Sequence, residues 1–169
     1  MNKFLFPLTA VALCFTAHQA MAATATGQGN AKAKIISAIT IANPTGFELN
    51  FGTMAAGANA VKIAVDGTRS GGGDFLIEDD NTPQAATIQL QHQADVANRE
   101  VTISSIPNTT IKRDGGNETI PVTALTPSSN KITLTSAAHD DFTVGGTLGD
   151  TTGKPGGDYK GTFDVTISY

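Results

Sequence analysis

The chain has 169 residues, with 11 Lys and Arg against 15 Asp and Glu and a formal net charge of −4. Its basic residues are scattered singly or in pairs, so nucleic-acid binding has no electrostatic footing. Cys14 is the only cysteine and Trp is absent, which excludes a disulfide within the chain and removes the commonest sugar-stacking ring.

Met1-Asn2-Lys3 supplies a positive charge, residues 4–15 form an apolar run broken only by Pro7 and Thr9, and Ala20-Met21-Ala22 has the small-x-small form that a signal peptidase reads. The run is too short to span a bilayer, and no other stretch approaches the roughly 20 apolar residues that spanning needs. Residues 1–22 are therefore expected to be a cleaved signal peptide, with export through the periplasm. Cys14 follows Val11-Ala12-Leu13, a poor context for a lipid anchor.

Residues 23–34 form a polar lead of small and basic residues, from which a small-polar alternation passes into Ile35, Ile36, Ile39 and Ile41. The rest alternates short apolar stretches with clusters of Gly, Pro, Asn and Asp, and runs of 3.6-residue period are missing. In chain order the pattern predicts strands at 31–42, 47–52, 60–65, 74–77, 86–91, 100–105, 109–113, 119–125, 131–135, 141–148 and 159–169. Turn signals such as Asp66-Gly67, residues 79–83, Pro107-Asn108 and residues 114–117 separate them. The last prediction is the clearest: Tyr159, Gly161, Phe163, Val165, Ile167 and Tyr169 alternate with Lys160, Thr162, Asp164, Thr166 and Ser168, the mark of a strand buried on one face. One all-β domain is expected over residues 35–169.

Three motifs, Leu49-Asn-Phe-Gly52, Phe142-Thr-Val-Gly-Gly-Thr-Leu148 and the closing Gly157-Asp-Tyr-Lys-Gly-Thr-Phe-Asp-Val-Thr-Ile-Ser-Tyr169, carry a family resemblance, together with the Ala23-Thr-Ala-Thr26 lead. With them the chain resembles the DUF4402-type family of bacterial secreted domains, whose members look related to archaic chaperone–usher pilins and spore-coat-U-like proteins. The resemblance implies a single immunoglobulin-like, pilin-like β-sandwich that works as a structural or adhesive surface subunit at the cell surface or in a fimbrium. It implies partners: copies of itself or related subunits, a periplasmic chaperone and an outer-membrane usher. In such a subunit an incomplete sheet leaves an edge and an apolar groove that a neighbour's strand fills. The residues expected to take part are Ala31, Ala33 and Ile35 in the donated strand, and Phe163, Val165, Ile167 and Tyr169 along the C-terminal edge. Small plugs such as Ala31 and Ala33 contribute little, so either the register includes Ile35 and Ile39, each worth roughly 1.5–3 kcal/mol if buried, or the groove is shallow, or the N-terminal strand pairs within its own domain and no polymer forms. The competing reading is a self-contained monomeric sandwich with a binding role, for example toward a glycan.

No catalytic constellation emerges, and no enzyme, cofactor or resident metal is expected. His92 and His139 lie far apart in sequence and read as exposed strand or loop residues. Gly67-Thr-Arg-Ser70-Gly71 has the wrong spacing for a nucleophile elbow. Asp74, Glu78, Asp79 and Asp80, with Asp140 and Asp141, fit no calcium-loop spacing and read as turn residues. Gly71-Gly-Gly73 and Gly145-Gly146 lack the Lys and Ser/Thr of a phosphate loop and read as turn or bulge glycines. The aromatics Phe47, Phe51, Phe75, Phe142, Phe163, Tyr159 and Tyr169 nearly all fall at inward or motif positions, which argues for core and against sugar stacking. Placing Ile167 on the buried face predicts that Ile167→Asp abolishes folding or export, because a carboxylate is forced among apolar groups; normal secretion and thermal stability of that variant would overturn the placement.

Overall fold

The computed structural model describes residues 30–42 and 47–169, so residues 1–22, expected to be a signal peptide, and residues 23–29 lie outside the described residues. The chain divides into two units, residues 1–34 and residues 35–169. The second unit is built from strands, with two 3-10 turns at Gly73–Phe75 and Ala94–Val96 and no α-helix among the described residues.

The strands are β1 (Thr40–Ala42), β2 (Thr53–Met54), β3 (Val61–Ile63), β4 (Arg69–Gly71), β5 (Leu76–Ile77), β6 (Ala86–Gln91), β7 (Glu100–Ile103), β8 (Thr109–Arg113), β9 (Thr119–Pro127), β10 (Lys131–Thr133), β11 (His139–Leu148), β12 (Tyr159–Lys160) and β13 (Ile167–Ser168). The large sheet runs β1-β6-β11-β9-β8-β12, with β3 against β11 and β4 against β3. A small sheet runs β10-β7-β13, and β2 and β5 form a separate two-stranded ribbon. Every pairing is antiparallel. Val101 and Ile103 of the small sheet share one buried cluster with Ile63, Ile88, Leu90, Phe142 and Val144 of the large one. This is the expected all-β sandwich.

Two-residue alternation explains the strands that carry this core. In β6, Ala86, Ile88 and Leu90 are buried while Thr87 and Gln91 are exposed. In β9, Ile120 and Val122 are buried, but the next buried residue is Leu125. The phase slips because Gly145 pairs with Thr126 and Thr147 with Thr123, so Ala124 and Leu125 stand opposite Gly146 alone. This bulge holds Ala124 at φ 52, and the Ala124 N–H donates to Asn108 Oδ1 at 3.1 Å. Gly145 and Gly146 thus sit inside a strand beside a bulge. A Cβ on Gly145 would lie 2.5 Å from the Ile63 carbonyl oxygen, and one on Gly146 would press on Leu125 and Leu49.

Four expectations need correction. Of the strand expected at 31–42, only β1 forms, and residues 30–39 belong to no strand. Residues 47–52 are not a strand but run alongside the chain through a single bridge, Asn50 to Gln84, before β2 begins. Gly71, expected in a turn, pairs with β3 together with Arg69 and Ser70 as β4. The C-terminal strand is interrupted: Tyr159 and Lys160 pair with Arg113 and Lys112 in the large sheet, whereas Ile167 and Ser168 pair with Ile103 and Thr102 in the small one. Gly161 is where the crossing starts, and a Cβ there would lie 2.5 Å from the Thr110 carbonyl oxygen.

Ala124 is exposed and adopts a left-handed backbone that L side chains resist. Ala124→Gly is expected to stabilise the fold by about 0.5–1 kcal/mol, the relief of strain exceeding the entropy that Gly loses. A urea midpoint that stays put or falls, with the slope unchanged, would contradict this.

Candidate functional site

The feature with functional shape is an open groove of about 860 Å³. One wall is residues 47–56, presenting Phe47, Leu49, Phe51 and Met54; the other is the C-terminal strand from Tyr159 to Phe163; Ile111, Ile120, Val122 and Leu148 line it between them. The sequence builds each part differently. Ile120 and Val122 point in because β9 alternates up to its bulge. Leu49 fits because Gly146 has no side chain in its way. Tyr159 is fixed by its hydroxyl, which donates to the Pro155 carbonyl at 2.9 Å.

The first wall is held from behind by polar contacts. The Arg69 guanidinium, 7% exposed, donates to the carbonyls of Phe51 at 3.5 Å and Thr53 at 3.3 Å and pairs with Glu78. Asn50 Nδ2 donates to Asn81 Oδ1 at 2.6 Å, and the Gly52 N–H donates to Asn50 Oδ1 at 2.9 Å. At one end Thr151 anchors the chain just past the first wall: its N–H and hydroxyl both donate to the Ala58 carbonyl, and its hydroxyl accepts from the Gly57 N–H at 3.1 Å.

Among the described residues no strand pairs with the outer edge of β12. The Asp114 N–H donates to the Asp158 carbonyl, and the Thr109 hydroxyl donates to the Thr162 carbonyl. Even-numbered backbone groups therefore face β8, and those of Tyr159, Gly161 and Phe163 face the other way. Phe163, Val165 and Ile167 are half-buried against the core, while Asp164, Thr166 and Ser168 are exposed. The alternation persists where the regular ladder does not. Tyr169, expected on the inner face, is 53% exposed, with its hydroxyl 3.5 Å from the Ile39 N–H. Ala31 and Ala33 are exposed, and Ile35 is 92% exposed. Phe75, expected inward, is 43% exposed because it packs over Gly57 at the surface.

The histidine expectation is corrected as well. His92 is buried; its Nε2 lies 2.9 Å from Asp140 Oδ2, and its Nδ1 lies 3.4 Å from the Gln93 carbonyl. Both ring nitrogens face acceptors, so neither is offered to a serine hydroxyl. The signal was in the sequence: His92 continues the inward series Ala86, Ile88, Leu90. Asp140 also accepts from the Thr135 N–H at 2.8 Å. Burial pulls its carboxyl upward, but the hydrogen bonds from Thr135 and His92 and the His92 charge outweigh that and hold it below the usual value. Among the described residues, no three His, Cys, Asp or Glu side chains come together as a metal group. Glu78 instead pairs with Arg69 and Asp140 with His92.

A depressed carboxyl contributes stability that is present above its unfolded value, about 3.9, and lost as pH falls through the lower folded value. Asp140→Asn is therefore expected to lower the melting temperature at neutral pH, and the gap from the unaltered chain to close below that window. A gap that is constant with pH would show that the charge on Asp140 does not matter.

Comparison with known sequences finds a family over most of the chain. The family model described as a domain of unknown function, DUF4402, matches residues 39–169. No curated protein matches the sequence. The matched span includes both walls of the groove and the whole buried cluster, and the chain belongs to the DUF4402 family.

Proposed function

We propose that this chain is a structural or adhesive subunit of a bacterial surface that assembles by strand donation, residues 23–35 of one copy filling the groove of the next. The observation that carries the reading is the groove itself. It is open, it carries apolar side chains between polar margins, and one of its walls is a strand edge whose backbone groups at Tyr159, Gly161 and Phe163 face away from β8. An incoming strand pairs with that edge and sets alternate side chains among Phe47, Leu49, Ile111 and Val122. Ala31, Ala33 and Ile35 have the alternation this needs, and Ile35 is the large apolar side chain left in solvent at the start of the second unit.

The chain's own geometry supports a head-to-tail direction of assembly. The residues after the donated segment reach the sandwich where Ile39 meets Tyr169, and the Ser37 N–H donates to Asp95 at 2.9 Å. The groove is lined at Tyr159 and Phe163, at the other end of the C-terminal strand. Contacts between two different surfaces of identical subunits are heterologous and propagate head to tail. In this reading the immunoglobulin-like sandwich travels through the periplasm, a chaperone covers the C-terminal edge by way of Phe163, Val165, Ile167 and Tyr169, and an usher exports the assembly.

The test is gel electrophoresis of protein sheared from cells, run with and without boiling in detergent. A ladder of multimers that collapses on boiling, and that is lost with Ile35→Asp, is the expected result. A single monomer band under both conditions overturns the reading and leaves a self-contained secreted sandwich as the account.

A further inference from the structure

The first wall of the groove lies outside the large sheet, and a charged side chain stands behind its middle. Arg69 of β4 reaches the wall at Gly52, where a Cβ would lie 2.7 Å from its Nη1 and 2.9 Å from Pro83 Cγ. Gly52 also has φ 74, a left-handed backbone that suits glycine. A side chain here would collide with the guanidinium and strain the turn. Nη1 donates to the carbonyls that flank Gly52, those of Phe51 and Thr53, and Nη2 pairs with Glu78. The Arg69 side chain is nearly buried, whereas that of Glu78 is 86% exposed. A cation withdrawn from solvent thus directs its donors to the backbone of the wall and to one exposed carboxylate.

The flanks of this segment have supports of their own. Before Gly52, the backbones of Asn50 and Gln84 exchange two hydrogen bonds, each of 2.9 Å. After it, Thr53 and Met54 pair with Ile77 and Leu76 of β5, and the Ala55 N–H donates to the Phe75 carbonyl. Without the guanidinium the wall would stay attached at both flanks and be loose between them. That middle is part of the groove: Phe51, Gly52 and Thr53 line it between Leu49 and Met54. Leu49 is seated against β11, since a Cβ on Gly146 would lie 3.0 Å from its Cδ2. Phe51 and Gly52, next along the wall, have Arg69 in the corresponding place behind them.

We infer that Arg69 is a positioning residue of the groove: it fixes residues 51–53 of the wall, and so the width offered to the donated strand, and Gly52 is the residue that admits it. The inference rests on the strand-donation reading and adds what holds the acceptor in shape. A donated strand whose inward side chains include Ala31 and Ala33 makes weak contacts, so it binds best to a groove that need not reorganise to meet it. A guanidinium suits the task because its donors form a rigid fork, here aimed at two carbonyls and a carboxylate. A Lys ammonium serves the carbonyls from the same direction with looser geometry. A Met side chain leaves both of them without that donor.

The test measures how tightly a fluorescent peptide of residues 23–36 binds the full-length chain, beside that chain's melting temperature. Ile35→Asp is present throughout, so that each chain accepts a strand but donates poorly. Arg69→Met is expected to weaken peptide binding about tenfold, and Arg69→Lys to keep it within about threefold of the parent. A residue that only stabilised the fold would lower the melting temperature and leave the affinity of the folded chain unchanged. Binding by Arg69→Met as tight as by the parent, or an equal loss with Lys and Met, therefore overturns the proposal and leaves strand donation standing. If the Arg69→Met chain does not fold, Glu78→Ala decides, because it removes only the exposed partner. It is expected to weaken binding about threefold at low salt and to match the parent at high salt, where the ion pair is screened; unchanged affinity at low salt then overturns the proposal. Absence of peptide binding by the parent overturns the strand-donation reading, and this role of Arg69 with it.

Discussion

The sandwich depends on β11 having partners on both edges. Its first half pairs with β6, its second half with β3, and β9 pairs with it from Val144 to Leu148. A strand with ladders on both edges must satisfy its backbone in two directions while burying Phe142, Val144 and Leu148 in the core. The change of partner, from β6 to β3, happens at Gly145 and Gly146. There the backbone of Ile63 and Ala64 comes too close to admit a Cβ, and Leu49 and Leu125 take the space above. A side chain at either position would separate the strands that meet there. The glycine pair in Phe142-Thr-Val-Gly-Gly-Thr-Leu148 is thus a packing requirement of the central strand.

The groove is a by-product of the same arrangement. Ile120 and Val122 face the groove by regular alternation, and the bulge opposite Gly146 then advances the phase of β9 so that Leu125 meets Gly146. The C-terminal chain then leaves the large sheet after Lys160 and joins the small one at Ile167. It ties the two layers together along one margin, but its inner residues Phe163, Val165 and Ile167 reach only partial burial. An edge whose apolar residues stay half-covered is the kind of margin that other proteins blunt with charges or bulges. Here the outer face does carry Lys160 and Asp164, while the inner face is left apolar.

Much of this was legible in the sequence, and the reason differs element by element. β6 and β8 follow the expected boundaries residue for residue, and β9 and β11 extend theirs by two, because a strand between two neighbours prints its alternation directly on the chain. Residues 31–39 carry a similar alternation and form no strand, since alternation describes the faces of a segment and cannot supply a partner for its edges. Arg69-Ser70-Gly71 was hidden for the opposite reason: it has the composition of a turn, but β3 offers it an edge. His92 was hidden by its chemistry; it occupies the next inward position after Leu90, and only the nearby Asp140 makes burying an imidazole tolerable. The groove's apolar floor could be expected from the inward residues of β8 and β9. Its polar backing, Arg69 with Asn50 and Asn81, could not, because those contacts join residues that no local pattern links.

The central position of β11 also sets a timetable. Its ladder with β3 joins Gly146 to Ile63, and its ladder with β6 joins Phe142 to Ile88, so long loops must close before either rung forms. Topologies dominated by such pairings fold on the millisecond-to-second scale, several orders of magnitude slower than helical bundles. Until β11 arrives, β6 and β9 each present a bare edge backed by Ile88, Leu90, Ile120 or Val122. During that interval the chain is exposed to aggregation, with its most apolar strands the ones kept waiting. A cell that makes this protein in quantity must shorten that wait or keep the chains apart until it ends.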